Sequence, residues 1–480
     1  MIRERQIVID EIDQKRSLIT DTADRIWEYA ELSLQEYKSA AHYCEILEQE
    51  GFDVQKGIAG IETAFCASYG SGRPVIGILA EYDALSGLSQ KSGALEQEEF
   101  VAGGNGHGCG HNLLGAGAMA AAIGVKAFLQ ETKTPGTVIL YGCPGEEGGA
   151  AKAFMARDGI WKDLDAALTW HPDDCNEVVT GSTNSCIQVQ YKFTGVASHA
   201  SGAPEKGRSA LDAVELMNIG VQFLREHMSD RARVHYAITD AGGISANVVQ
   251  PKASVLYMVR SNHVAEAVEL QARVDKIAEG AALMTETSYE RKFIDGCSDT
   301  VTNHVLEKVM YENFELLGVP TYTEEELRYA DDLAKTYSGS DAVSGIAAAN
   351  DMQMHMEVAK MRQEFGHSMN QFLMPLYQGD AFEPGSTDVG DVSWLTPTVQ
   401  IHVAAWPNGC PGHSWQNVSC DRTGIGHKAA VHAGKVIAMG AVDLFRNPDL
   451  LAQARAEFEM RTAEGFVCPI PQGAQPVIPD

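Results

Sequence analysis

A thiol and an imidazole lie two residues apart, at Cys109 and His111, within the glycine-rich stretch 104–112. Glycines let the backbone turn sharply and leave space around neighbouring side chains, as a metal site on a loop requires. A thiolate beside an imidazole suits zinc or a neighbouring first-row metal. The pair alone is weak evidence, because C-x-H occurs by chance and a buried cysteine usually only packs. The pattern therefore indicates a metal site only if further ligands come from elsewhere in the chain.

Further groups of this kind occur downstream, each at the end of an apolar run or in a Gly/Pro-rich loop. Glu146 and Glu147 are adjacent carboxylates among glycines, His171 follows the apolar run 166–170, and His413 lies in the loop 409–415. A single histidine of this type is more often a structural residue held by hydrogen bonds. The joint occurrence favours a metal site with five ligands: Cys109, His111, Glu147, His171 and His413. Glu146 remains as a separate functional group.

The elements that must position these groups alternate between strand and helix. Short apolar runs at 75–80, 138–141, 166–170 and 399–404 predict strands, while 3–50, 424–446 and 448–463 show helical periodicity. Such alternation predicts an α/β fold with a central, mostly parallel sheet. In such folds, ligands bind beyond the carboxyl ends of the strands. The acidic Glu81-Tyr82-Asp83 directly follows the predicted strand 75–80, and the candidate ligands also come after predicted strands.

A second unit interrupts this pattern. Residues 187–305 predict the element order β-α-β-β-α-β, which is typical of a compact α+β insertion. The catalytic domain is therefore expected to be discontinuous, comprising 1–186 and 306–480, with 187–305 as an inserted domain. The segment 320–380 is helical and carries no cluster of catalytic type.

Composition narrows the possible partners and location. The 480-residue chain has 65 acidic and 37 basic residues, a net charge of −28, which argues against nucleic acid or an anionic membrane as partner. The apolar run 113–128 is interrupted by glycines and Lys126, which predicts a buried helix and no membrane span. No secretory signal is evident, so the ten scattered cysteines are expected to be mostly reduced thiols in the cytoplasm. A serine hydrolase is disfavoured, because there is no G-x-S-x-G motif.

Several of these segments resemble one known family, the dinuclear-metal aminoacylase and carboxypeptidase-type amidohydrolases. The match is to the branch with Cys-x-His in place of His and Asp ligands, and it covers nearly the whole chain. The motifs are E-Y-D-A-L (81–85), H-G-C-G-H-N (107–112), P-G-E-E-G-G (144–149), T-W-H-P (169–172), S-H-A-S (198–201), G-G-I-S-A-N-V-V (242–249) and P-G-H-S-W (411–415).

The resemblance implies two divalent ions per chain, zinc or manganese, held by the five ligands with Cys109 bridging. It implies that Glu146 is the general base and that Asp83 orients a ligand. The glutamate at Glu81, where the family has Asp-x-Asp, leaves the role of the first carboxylate open.

The resemblance also assigns the insertion as a lid and dimerisation domain. From it His199 would reach the active site of a neighbouring subunit to stabilise the oxyanion, while Asn247 and Arg260 would hold the substrate carboxylate. The partner would be a second copy of this chain or a related, distinct subunit. Glu205 stands where the family has a histidine after the proline at 204, so any role of that histidine is lost or moved.

The implied activity is hydrolysis of the amide bond of an N-acyl amino acid by a metal-activated water. An aroyl-glutamate such as p-aminobenzoyl-glutamate is the expected substrate. The alternatives are an aminoacylase or dipeptidase for other N-acyl amino acids, such as aspartate conjugates, and a non-catalytic paralogue. A paralogue of that kind would be expected to lose Glu146 or a ligand, and none is missing.

Overall fold

The computed structural model describes residues 2–478, and the elements within them follow in chain order. The α-helices are α1 (Arg3–Gln14), α2 (Arg16–Tyr29), α3 (Tyr37–Gln49), α4 (His111–Thr132), α5 (Ala151–Arg157), α6 (Ala210–Leu224), α7 (Val264–Thr285), α8 (His304–Leu317), α9 (Glu324–Ala334), α10 (Ile346–Asn350), α11 (Met352–Phe365), α12 (Val389–Ser393), α13 (Trp415–Asp421), α14 (Gly424–Arg446) and α15 (Pro448–Arg461). The strands are β1 (Asp53–Lys56), β2 (Phe65–Ser71), β3 (Val75–Ala80), β4 (Gly136–Gly142), β5 (Ala166–Asp173), β6 (Glu177–Val178), β7 (Ser182–Thr183), β8 (Ser185–Thr194), β9 (Arg233–Asp240), β10 (Lys252–Ser261), β11 (Ser288–Cys297), β12 (Phe382–Glu383) and β13 (Thr398–Ala404).

The larger sheet has seven strands in the order β1-β2-β4-β3-β5-β13-β6. Its four central strands, β4, β3, β5 and β13, are mutually parallel, and the outer pairings β1–β2, β2–β4 and β13–β6 are antiparallel. This arrangement confirms the predicted α/β class with a mostly parallel central sheet. Because parallel strands end at the same edge, the segments after β3, β4 and β13 and the end of β5 come together there.

Helix α4 is the central helix of the large domain. It is long and apolar enough to cross a membrane, with a mean hydropathy of 1.5 in its most apolar window, but 89% of that window is buried inside the fold. It packs closely on α14: a Cβ added at Gly434 would lie 2.9 Å from the carbonyl oxygen of Gly117 and 2.8 Å from Cβ of Ala120. The predicted buried helix is therefore observed as a helix of the protein core.

The inserted segment forms its own four-stranded sheet in the order β11-β8-β10-β9. Its elements follow the predicted order β-α-β-β-α-β, and it has a separate hydrophobic core formed by one face of the sheet with α6 and α7. The exact domain boundaries at 186/187 and 305/306 stay a prediction. We refer to residues 187–305 as the lid.

Candidate active site

A cavity of about 650 Å³ lies at the carboxyl edge of the central sheet. The loop before α4 supplies Cys109, the loop after β4 supplies Glu146 and Glu147, β5 supplies His171, and the loop before α13 supplies His413. These predicted functional residues all line this one cavity. His111, the first residue of α4, lies directly behind them and is fully buried.

The ligand atoms form two potential metal sites that share one residue. Cys109, His111 and His171 make one group, and Cys109, Glu147 and His413 make the other, with the ligand atoms of each group within 4.8 Å of one another. Within the described residues, the buried atoms Nε2 of His111 and Oε1 of Glu147 have no hydrogen-bond partner. Buried polar atoms are normally paired. These two unpaired atoms are of the kinds that bind metal ions, and one belongs to each group, so the residues present fit one cation in each group.

Close backbone approach explains the glycines around Cys109. A Cβ at Gly108 would lie 2.6 Å from Cδ1 of Leu88 and 3.2 Å from Cα of His413. The backbone N–H of His413 donates to the carbonyl of Gly108 at 3.1 Å, which ties the two ligand loops together. His413 itself has a left-handed backbone with φ of 53°, an uncommon conformation for a residue with a side chain. Non-glycine residues in this region cluster at functional sites.

Hydrogen bonds fix the orientation of His111 and His171, two of the candidate ligands. His111 donates through Nδ1 to Oδ1 of Asp83 at 2.9 Å, so its Nε2 faces the ligand cluster. Burial alone would raise the pKa of Asp83. The hydrogen bond and the charge of His111, together with the hydrogen bonds from the Glu147 N–H and Ser33, outweigh burial and lower that pKa to about 2. His171 donates through Nδ1 to the carbonyl of Pro172. Burial, followed by the charge on His111, lowers the pKa of His171 to about 4, which keeps its imidazole neutral for metal binding.

Glu146 lines the cavity beside the ligands. Burial raises its pKa well above the usual range, and the carboxylates of Glu81, Glu147 and Asp388 raise it further. A carboxyl group with a raised pKa is suited to accept a proton and return it at neutral pH. Bound cations would counteract this shift, because their charge favours the carboxylate.

The structure adds a buried ion network that was not predicted as a unit. Lys152, fully buried on α5, bonds to Oε1 of Glu81 at 2.7 Å and to Oδ1 of Asp388 at 2.5 Å. The other oxygen of Glu81 lies 3.4 Å from Nε2 of His111. Glu81, left without a role by the sequence, therefore links Lys152 to the candidate metal ligand His111. The lysine among the apolar residues of α5 was the available signal.

A second unpredicted group lies beside His171. His402, on β13, is buried, and its Nδ1 is 2.9 Å from Asp173 and 3.0 Å from Glu177. Burial opposes charge on His402, but the two carboxylates outweigh it and hold its pKa well above the usual range. A histidine within the apolar run 398–404 was the signal in the sequence, although its carboxylate partners come from two other strands, Asp173 from β5 and Glu177 from β6.

The predicted lid residues fall into two sets. Arg260 lines the cavity and donates to Oγ of Ser386 at 2.8 Å. His199 and Asn247 are exposed and adjacent, since Ala200 N–H donates to the carbonyl of Asn247, and neither lines the cavity of its own chain. The structure thus places Arg260 in the same cavity as the candidate metal ligands, and leaves His199 and Asn247 at the lid surface.

The cavity lies at the edge of a parallel sheet and contains two candidate ligand groups that share Cys109, with Glu146 beside them. This arrangement is typical of a dinuclear metallohydrolase. Peptidase family M20/M25/M40 matches residues 77–370, and the chain belongs to this family of hydrolases. The family resemblance seen in the sequence motifs is therefore confirmed.

Individual relatives extend this likeness over nearly the whole chain. The protein is 43% identical to the B subunit of p-aminobenzoyl-glutamate hydrolase from Escherichia coli (strain K12), over 98% of each chain. It is 25% identical to the Xaa-Arg dipeptidase of Mus musculus, over 95% of this chain and 92% of the relative. The fold is shared with a dinuclear metal binding peptidase of the M20 family from Bacillus subtilis, with a TM-score of 0.55 and 17% identity, over 90% of this chain and 99% of the other.

Proposed function

We propose that this protein hydrolyses the amide bond of an N-acyl glutamate, with an aroyl group such as p-aminobenzoyl as the acyl part. The observation that supports this most strongly is the pair of ligand groups sharing Cys109, with Glu146 in the same cavity. The 43% identity to a p-aminobenzoyl-glutamate hydrolase chain supports the substrate class.

The chain's own residues account for the proton movements of such a reaction. Two divalent ions, zinc or manganese, held by Cys109, His111, Glu147, His171 and His413, would supply Lewis acidity and activate water. Glu146 takes the proton from the attacking water and returns it to the departing amine, as a general acid–base. Asp83 holds His111 in the orientation needed for metal binding.

Arg260 is the proposed recognition group for the substrate carboxylate. It is a permanently charged group in the cavity wall, and a guanidinium offers a carboxylate two parallel N–H donors. Asn247 would bind the same carboxylate from the lid.

One observation favours a second candidate substrate. Asp173, Asp295 and Glu383 also line the cavity and could bind a basic side chain, as the likeness to Xaa-Arg dipeptidase suggests. An aspartate conjugate is a further alternative substrate.

Catalysis is proposed to require a second subunit. His199 and Asn247 are exposed on the lid and lie outside their own cavity, so they are available to a neighbouring site. β9 is an edge strand of the lid sheet and exposes Tyr236 and Ile238, and such an edge can pair with another chain. The partner is a second copy or a related, distinct chain, and the second arrangement is supported by the relative in Escherichia coli, which is itself the B subunit of its enzyme. A cytoplasmic location is part of this proposal.

A substrate panel tests the proposal. Protein reconstituted with zinc or with manganese is assayed with p-aminobenzoyl-glutamate, an aroyl-aspartate and an Xaa-Arg dipeptide, and Glu146→Gln is the matched control. The highest kcat/KM is expected for the aroyl-glutamate, with turnover lowered by roughly 10²- to 10⁴-fold in the control. A higher kcat/KM for the dipeptide would assign the protein as a dipeptidase for basic residues. Absence of Glu146-dependent hydrolysis of all three substrates would overturn the proposal.

A further inference from the structure

One face of the lid sheet forms a wall of the active-site cavity. Side chains directly opposite one another on antiparallel strands share a face. Cys186 on β8 lies opposite Arg260 on β10 and opposite Cys297 on β11, so these side chains form one row across three strands. The alternate residue, Ile187, packs into the lid core, and the row of Arg260, Cys186 and Cys297 lines the cavity.

The two thiols in this row are in direct contact. Sγ of Cys186 and Sγ of Cys297 are 3.3 Å apart, although the residues are separated by 111 positions in sequence. Within residues 2–478 no other two cysteine sulfurs make such a contact. Cys186 is half-buried and Cys297 is buried, and both are open to the cavity from which a small oxidant would approach.

The position of the pair in the chain is also informative. Cys186 lies at the start of β8, where the chain enters the lid, and Cys297 is the last residue of β11, where the strands of the lid end. A bond between them would join the entry and exit of the lid next to Arg260. It would therefore act on the wall that the proposed function assigns to substrate binding, and leave the metal ligands in place.

We propose that Cys186 and Cys297 are a redox-active dithiol that a peroxide converts to a disulfide. The disulfide would change the affinity of the protein for its substrate through the neighbouring Arg260. Cys186 is the attacking thiol because it is the more exposed of the two. Its sulfur attacks one peroxide oxygen, the O–O bond breaks, and the departing hydroxide takes up the thiol proton as water. Sγ of Cys297 then attacks the sulfenic acid, the S–O bond breaks, and the second thiol proton leaves with that hydroxyl as a second water. The dithiol loses two electrons, and the peroxide gains them.

The bond itself is tested without an activity assay, so this test does not depend on the proposed function. Reduced full-length protein is freed of reductant, treated with hydrogen peroxide, alkylated, and digested without reduction for mass spectrometry. The expected product is a peptide pair joined through Cys186 and Cys297, absent in Cys186→Ser and reversed by dithiothreitol. Cys66→Ser, which changes a half-buried cysteine on β2 of the larger sheet, serves as the matched control and should still form the bond. Alkylation of both Cys186 and Cys297 after peroxide has oxidised other thiols would overturn the proposal.

The consequence for binding rests on the proposed function and is measured separately. Oxidised protein should show a KM for the aroyl-glutamate raised at least about threefold, with a smaller change in kcat and recovery on reduction, since uniform binding is affected more than the chemical step. Peroxide-treated Cys186→Ser controls for oxidation of Cys109 and should keep its own untreated KM. A disulfide that forms with no change in KM would refute the link to Arg260, and absence of any hydrolysis would instead count against the proposed function.

Discussion

The carboxylate of Asp83 accepts from Nδ1 of His111 at 2.9 Å, and its second oxygen accepts from the backbone N–H of Glu147 at 2.9 Å. His111 and Glu147 belong to different potential metal sites. One buried carboxylate therefore orients a ligand of each site. Groups that hold ligands in this way commonly contribute about 10- to 100-fold to metal affinity.

Replacement of Asp83 should weaken metal binding while leaving all five ligands in place. Asp83→Ala is expected to lower affinity for both ions by about 10- to 100-fold, because both orienting hydrogen bonds are lost. Competition with a chromogenic chelator gives the affinities. Asp332→Ala removes an exposed carboxylate paired with Lys335 and should have no effect. Unchanged metal affinity in Asp83→Ala would show that the ligands do not need this carboxylate.

Loss of individual ligands should reveal which residue is shared. His171→Ala should reduce the metal content by one ion and His413→Ala by the other, whereas Cys109→Ser should impair both, because only Cys109 belongs to both groups. Elemental analysis of purified variants measures this directly. A fully loaded Cys109→Ser/His171→Ala double variant would contradict the ligand assignment.

The adjacent glutamates should give different results. Glu146→Gln should retain metal and lose turnover by roughly 10²- to 10⁴-fold, because a proton acceptor is removed while the ligands remain. Glu147→Gln should lose metal as well, because a ligand atom is removed. Parallel measurement of metal content and kcat separates the two roles. Near-normal kcat in Glu146→Gln would exclude it as the general base.

Subunit mixing tests the proposed contribution of His199 in trans. His199→Ala and Glu146→Gln chains, each inactive, are mixed under conditions that exchange subunits. In a mixed dimer, one of the two sites has Glu146 and receives an intact His199 from the other chain, so activity should return. Mixing each variant with itself is the control. Exchange demonstrated by mass spectrometry with no recovery would mean that His199 serves its own chain or only packs.

Glu307 on α8 is a buried carboxyl group that should destabilise the fold at neutral pH. Burial raises its pKa to about 8, and within the described residues its Oε1 has no hydrogen-bond partner. Since the folded pKa exceeds the unfolded value of about 4.5, the cost is absent below that pH and grows as the pH rises toward 8. Glu307→Gln should therefore raise Tm little at pH 5 and more at pH 8, corresponding to a few kcal/mol at most.

Thermal unfolding at both pH values, in the same buffer series, tests this prediction. Glu312→Gln is the matched control, because Glu312 lies on the same helix and its side chain is 58% exposed. A pH-independent effect of Glu307→Gln would mean that the carboxyl group is not titrating as described.

The sequence could single out the candidate metal ligands that the structure brings together, because each is marked locally. Cys109 and His413 lie in loops that approach each other so closely that a Cβ on Gly108 would lie 3.2 Å from Cα of His413. His171 lies near the end of an apolar strand, and Glu147 follows another. Parallel-sheet geometry then brings such residues to one edge. The fold class and the element order of the lid were likewise readable from periodicity.

The remaining features depend on pairings that are distant in sequence. Lys152 meets Asp388 across 236 positions, and Cys186 meets Cys297 only because β8 and β11 pair in one particular register. A shift of one residue in the register of β8 would point the side chain of Cys186 into the lid core and away from the cavity. Local patterns do not determine such a register, so neither the ion network nor the thiol pair could be predicted.

Anomalous diffraction from crystals of the zinc- or manganese-loaded protein tests the central claim most directly. The account predicts two anomalous peaks in the cavity, with Sγ of Cys109 within bonding distance of both, His111 and His171 at one, and Glu147 and His413 at the other. A single peak in the fully loaded protein, or two peaks with Cys109 bound to neither, would contradict it.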